Sequence, residues 1–173
     1  MRLRSVKKQY NLRAISEQLY LRGSIVGLWA GIESSLDRAN HAAWITSRDP
    51  ARKKLPRNFS EKIKSFRELP LHSSTFTELS ETGTRLADRV EARIEDRHFL
   101  VHGYTVPSSN GDSNLLLRKH KFLSNTITDE DRTYTIVDLR KFNDETLKLS
   151  HDWACYLGDL TKKLGLHSND LPA

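Results

Sequence analysis

Apolar residues recur at helical spacing along the first quarter of the chain. Ile15, Leu19, Val26, Trp29, Ile32, Leu36, Ala43 and Trp44 share one stripe, because about 100° of rotation per residue brings positions three, four and seven apart onto a common face. The spacing predicts a helix over 12–46, with Gly23 and Gly31 as weak points inside it. Glu33 and Asn40 fall on the same inner face, where a carboxylate is rare without a partner. Residues 47–58 carry two prolines and five Lys/Arg and read as a loop. Asn58 or Ser60 then caps a short second helix, which Pro70 closes after Leu69. Ser74 opens a third helix that runs into LADRVEARIEDRHFLVHGY, residues 86–104. There Leu86, Val90, Ile94 and Val101 form one stripe, and Arg97 falls inside it. A desolvated guanidinium left alone is as costly as a broken buried ion pair, so Arg97 is expected either to pair with Glu33 across a helix interface or to reach into an anion-binding groove. Gly103 tolerates a left-handed C-terminal cap. That places His102 in the last turn, where the helix end favours a charged imidazolium.

After Gly103 the period changes. YTVP, NLLLRKHKF and RTYTIV are β-branched or alternating, and SSNGDSN and SNTITDED separate them as turns. The pattern predicts a hairpin with strands near 115–122 and 132–137, joined by 104–106. Asp138 then caps a final helix whose core stripe holds Leu139, Phe142, Leu149, Trp153, Leu157, Leu160 and Leu164. The expected class is mostly α: an up-and-down helical bundle with a small β-hairpin inserted before the last helix. At 173 residues the chain fits one domain, 1–173, with a basic N-terminal segment at 1–11 and the hairpin insertion at 104–137.

Composition narrows the chemistry. No 18-residue apolar run exists, and the basic start MRLRSVKKQYNLR is not followed by an apolar signal core. A cytoplasmic protein without a membrane partner is expected. Cys155 is the single cysteine, so no intrachain disulfide or cysteine-based metal cluster can form. The formal charge of +6 is uneven: residues 1–22 hold six Lys/Arg against one Glu, and residues 48–67 hold eight against two acids. Two basic surfaces on an otherwise acidic chain suggest a polyanion, RNA or DNA being the commonest. Arg52, Lys53, Lys54, Arg57 and Lys62 are the candidate phosphate contacts, and a solvated basic loop is the alternative.

RHFLVHGY carries Arg97, a polar residue at the next position (His98), three apolar residues, then His102 and Gly103. It resembles the Arg-x(4–6)-His motif of the HEPN superfamily, helical proteins that include metal-independent ribonucleases of toxin–antitoxin, anti-phage and CRISPR systems. The resemblance implies a homodimer in which Arg97 and His102 of both copies face a shared groove. His102 would then be the acid/base, Arg97 the phosphate-binding cation and His98 a polar helper, with Glu33, Asn40 and Tyr104 in support. The implied activity is metal-independent cleavage of RNA by 2′-OH attack, leaving a 2′,3′-cyclic phosphate, with no cofactor. It would serve a toxin or a defence effector, with an antitoxin or nucleotidyltransferase as partner. Tyr104 completes Arg-x4-His-x-Tyr, as in HEPN toxins paired with nucleotidyltransferases, although the chain is longer than those and inserts a hairpin after the motif. Two other readings stay open. One is a non-catalytic HEPN module for dimerisation, partner binding or RNA binding. The other is a metal site on Glu95, His98 and His102, for which no third firm ligand is identifiable.

Overall fold

Six helices and a three-stranded antiparallel sheet make up the described chain: α1 (Leu12–Ser47), α2 (Phe59–Glu68), α3 (Ser74–Glu78), α4 (Ser80–Glu91), α5 (Ile94–His102), β1 (Tyr104–Val106), β2 (Leu115–Leu123), β3 (Thr126–Tyr134) and α6 (Ile136–Leu164). They are seen in a computed structural model that describes residues 12–47, 56–69, 74–106, 114–123 and 126–167. The class is the mostly α one that the hydrophobic pattern predicts, with the small sheet before the last helix. No helix among the described residues is long and apolar enough to cross a membrane. The single domain expected from length divides into two compact units that interleave along the sequence. One takes the chain up to Val26 together with Glu95–Glu145, the other Gly27–Ile94 with the chain from Thr146 onward.

The second unit is a helical core closed by aromatic rings. Trp29, Ile32 and Leu36 of α1, Ile63 and Phe66 of α2, Leu86 and Val90 of α4, and Trp153, Tyr156 and Leu160 of α6 are buried. Phe66 meets Trp153 and Tyr156 edge-on at 5.0 and 5.6 Å, and Trp29 meets Phe59 at 5.9 Å, the offset geometry that ring quadrupoles prefer. Asn58 rather than Ser60 caps α2, accepting from the Glu61 N–H at 2.8 Å. Burial of the Tyr156 phenol among these rings pushes its pKa up to about 12.

Several expectations need correction here. The stripe on α1 is out of phase at both ends: Ile15, Leu19 and Trp44 are exposed, and the buried line runs through Leu21, Ile25, Trp29, Ile32 and Leu36. The third helix is not continuous. It stops at Leu79 and again at Ala92–Arg93, where the Arg93 N–H turns back to the Val90 carbonyl at 3.1 Å. That second stop rotates the following residues, so Phe99 and Leu100 are the buried positions of α5, while Ile94, Arg97 and Val101 are half-buried.

Lys62 is also corrected. Expected on a basic, phosphate-facing surface, it is instead buried, and its ammonium donates to Asp37 Oδ2 at 2.7 Å and Glu33 Oε1 at 2.9 Å. Burial alone would depress this ammonium, but the hydrogen bonds to Asp37 and Glu33 outweigh it and hold the group above its ordinary value. Asn40, buried beside it, donates to the carbonyls of Lys62 and Leu36 at 3.1 and 3.0 Å. The polar residues on the inner face of α1 therefore receive the one cation that α2 buries. Either carboxylate can hold the ammonium, so Glu33→Ala or Asp37→Ala alone should cost about 1 kcal/mol, whereas the double variant strands a buried charge and should cost about 3 kcal/mol. Urea unfolding of the two single variants and the double variant checks this.

Candidate functional site

The end of α5 is held by the rest of its unit. Asp96, in the first turn, accepts from Arg132 Nη1 at 2.7 Å and from the Tyr134 hydroxyl at 3.1 Å. Burial, followed by the charge of Asp96, raises the Tyr134 phenol above its ordinary range. One turn on, Lys119 Nζ and the Arg132 guanidinium each lie over the buried Phe99 ring, 4.6 Å from its centroid. These two cation–π contacts hold α5 against β2 and β3.

One face of the sheet buries Leu115, Leu117 and Tyr134, and its two long strands are matched in charge. β2 carries Arg118, Lys119, His120 and Lys121, and β3 carries Asp129, Glu130 and Asp131. Their register sets Arg118 opposite Asp131, Lys119 opposite Glu130 and His120 opposite Asp129. Arg118 bonds both oxygens of Asp131 at 2.7 and 2.8 Å, His120 meets Asp129 at 2.6 Å, and Lys121 meets Glu130 at 2.7 Å. Opposite charges directly across a strand pair are stabilising, and they turn an acidic run of low strand propensity into β3. The predicted second strand at 132–137 is therefore corrected to Thr126–Tyr134. The last helix begins at Ile136 through a reciprocal cap, in which Thr135 N–H bonds Asp138 Oδ2 at 2.9 Å and Asp138 N–H bonds Thr135 Oγ1 at 3.1 Å. Asp138 thus sits inside the helix, and Thr135 precedes it.

At the C-terminal end of α5, Arg22 of α1 supplies what the helix lacks. Its guanidinium donates to the Leu100 carbonyl at 2.8 Å, to the Gly103 carbonyl, and to Thr105 Oγ1 at 3.3 Å. The last carbonyls of a helix have no intrahelical donors, and the planar fork of N–H groups reaches one of them, on Leu100, together with the Gly103 carbonyl just beyond the helix. Gly103 follows without the left-handed conformation expected of it: the described glycine with positive φ is Gly165. Its reason is space, since a Cβ there would lie 2.5 Å from the Phe99 carbonyl oxygen and 3.2 Å from Leu117 Cβ.

On this anchored end the motif residues gather. Arg97 Nη1 is 3.3 Å from His102 Nε2. Arginine can only donate, so in a hydrogen bond between the two Nε2 is the acceptor. His98 lies edge-on to His102, ring centroids 6.0 Å apart. Burial, and then the charge of Arg97, keep the His98 imidazole below its ordinary value and therefore neutral. Tyr104 begins β1 and stacks at a tilt on His120, centroids 5.2 Å apart. An exposed imidazole beside a guanidinium can exchange a proton while the cation holds an anion.

The structure thus brings Arg97, His98 and His102 together, with Tyr104 close by along the chain. It brings Glu33, Asn40 and Lys62 together in the other unit, so the expected Glu33–Arg97 pair joins residues of different units, and Glu33 has Lys62 as a described partner. Arg57 is exposed just before α2, and Arg52, Lys53 and Lys54 lie outside the described residues. Among the described residues no group of three or more His, Cys, Asp and Glu is placed to hold a metal ion. Arg22, Asp96 and Arg132 are positioning residues that the sequence pattern did not single out. A lone cation one position after the buried Leu21 was the available signal for Arg22. No family model, curated protein or solved structure matches the chain.

Removing the fork should loosen the motif before it unfolds the protein. Arg22→Ala leaves two part-buried carbonyls without a donor, a loss of about 1–3 kcal/mol. Arg22→Lys should recover only part of it, because an ammonium cannot reproduce the planar fork. Amide hydrogen exchange should show the effect concentrated in residues 100–106.

Proposed function

We propose that the end of α5 is the active site of a metal-independent endoribonuclease of the HEPN type. The observation that carries the reading is the approach of Arg97 Nη1 to His102 Nε2, 3.3 Å, at a helix end exposed to solvent. The Arg-x4-His spacing of RHFLVHGY, with His98 after the arginine, supports it. So does the net charge of +6, which suits a polyanionic substrate.

In this mechanism the ribose 2′-OH attacks the adjacent phosphorus. His102 accepts the 2′-OH proton at Nε2 as the new P–O bond forms, and Arg97 swings from the imidazole to the non-bridging oxygens, stabilising the charge that develops there. The P–O bond to the 5′-oxygen breaks, and a second imidazole returns a proton to that oxygen. Two copies arranged so that both Arg97/His102 pairs face one groove would supply it, so we propose a homodimer. His98, its pKa lowered by burial and by Arg97, adds no second positive charge beside His102 as that imidazole protonates. A role as toxin or defence effector, restrained by an antitoxin or a nucleotidyltransferase, is the biological setting this activity fits.

The purified chain should cut single-stranded RNA in EDTA, eluting as a dimer by light scattering. Loss of the proton-transfer group should lower the rate about 10²- to 10⁴-fold, so His102→Ala should remove detectable cleavage with its unfolding midpoint unchanged. Undiminished cleavage by His102→Ala would overturn the mechanism. A wild type that neither cuts nor binds RNA would leave a non-catalytic helical module for dimerisation or partner binding in its place.

A further inference from the structure

In the unit that does not hold the α5 site, α4 and α6 leave between them a groove of about 350 Å³, within the size range that takes a small molecule. Its walls carry Arg85 and Arg89 from α4, and Asp152, Cys155, Tyr156 and Asp159 from α6. Cys155 is exposed, and its Sγ lies 3.6 Å from Nε2 of His151, one turn earlier on the same helix. An imidazole nitrogen at that distance can take the thiol proton, and the thiolate is the form of cysteine that attacks. The charges around this sulfur differ in how they are used. Arg89 and Asp152 hold each other at 2.6 Å, whereas Arg85 meets Glu81 at 3.6 Å with both side chains largely in solvent. Asp159, one turn beyond Cys155, has no ion pair among the described residues. Tyr156 is 4% exposed, and its hydroxyl makes no hydrogen bond among the described residues. A buried donor left in that way calls for a partner.

We propose that Cys155 is a thiolation site, and that the groove takes small disulfides whose halves carry both an α-ammonium and a carboxylate, as cystine and glutathione disulfide do. A carboxylate and a guanidinium, neither held closely by a partner, share the groove with one nucleophilic sulfur. Asp159 receives the ammonium and Arg85 the carboxylate; a neutral disulfide leaves both unused. Tyr156, on the same wall, adds a hydroxyl for a ligand oxygen. In the reaction His151 Nε2 accepts the thiol proton and the Cys155 sulfur attacks one sulfur of the disulfide. A new S–S bond forms as the old one breaks, and the departing thiolate takes the proton and leaves as a free thiol. The small disulfide is the oxidant, and no other is needed. The proposal is independent of the ribonuclease reading, since Arg97 and His102 belong to the other unit.

Intact-mass spectrometry of the full chain, incubated with glutathione disulfide, cystine or the neutral 2-hydroxyethyl disulfide, gives the rate of each thiolation, which is divided by the rate for a cysteine in an unstructured peptide. Normalised in this way, at least one of the two zwitterionic disulfides should react several-fold faster than the neutral one, and the faster of the two names the source. Arg85→Ala and Asp159→Ala should each slow that reaction about 2- to 5-fold, the worth of an exposed ion pair, and leave the neutral disulfide unaffected. Both positions are exposed, so the unfolding midpoint should not move. Glutathione disulfide is a net anion, and general electrostatics would have Asp159→Ala speed its attack; a slowing marks a specific ammonium contact. His151→Gln should slow all three disulfides alike, because it removes the proton acceptor and no binding group. Equal normalised rates for the zwitterionic and neutral disulfides, or rates that Arg85→Ala and Asp159→Ala leave unchanged, would overturn the proposal.

Discussion

The last carbonyls of a helix need donors from elsewhere, and how α5 meets that need determines the arrangement around it. The donors come from Arg22, whose guanidinium spans the carbonyls of Leu100 and Gly103. For the fork to reach them, α1 must present Arg22 next to the buried Leu21 and Ile25, and Gly103 must leave its Cβ space empty. The start of α5 is fixed by a second demand, the pairing of Asp96 with Arg132 and Tyr134. Held at both ends, with two cations over the Phe99 ring, a helix of nine residues is ordered where Arg97 and His102 stand. Isolated helices of that length are marginal in water, so this order is tertiary in origin.

The sheet solves a related problem. An acidic run such as Asp129 to Asp131 reads as a turn or a solvated loop when taken alone. Set against Arg118, Lys119, His120 and Lys121 it becomes a strand, and it brings Arg132 and Tyr134 to Asp96. Charge matching therefore does in this unit what aromatic packing does in the other, where Phe66, Trp153 and Tyr156 meet edge-on.

These contrasts mark what a sequence reading can see. The long first and last helices were legible because periodicity is strong over many turns, and Asn58 announced its cap through local chemistry. The break at Ala92–Arg93 was not, since Leu86, Val90 and Ile94 continue a helical period straight through it, and only packing rotates Phe99 and Leu100 inward. The phase of α1 failed at its ends because exposed apolar residues such as Leu19 and Trp44 resemble core positions. Lys62 looked like a surface cation because its partners, Glu33 and Asp37, lie on a different helix. At the candidate site, Arg97, His98 and His102 were legible as a local motif, and their separation is short enough for one helix to bring them together. Arg22, far off in sequence, could not be seen as the residue that anchors them.

The central claim is that the ribose of the substrate supplies the nucleophile and His102 takes its proton. The most direct measurement maps a cleavage site in a single-stranded RNA and replaces the ribonucleotide immediately 5′ of the scissile phosphate with its 2′-deoxy form. Cleavage there should disappear while neighbouring sites are still cut, and the all-ribose product should end in a 2′,3′-cyclic phosphate. Continued cutting at the deoxy position would contradict the account, because a nucleophile other than the 2′-OH would then be at work.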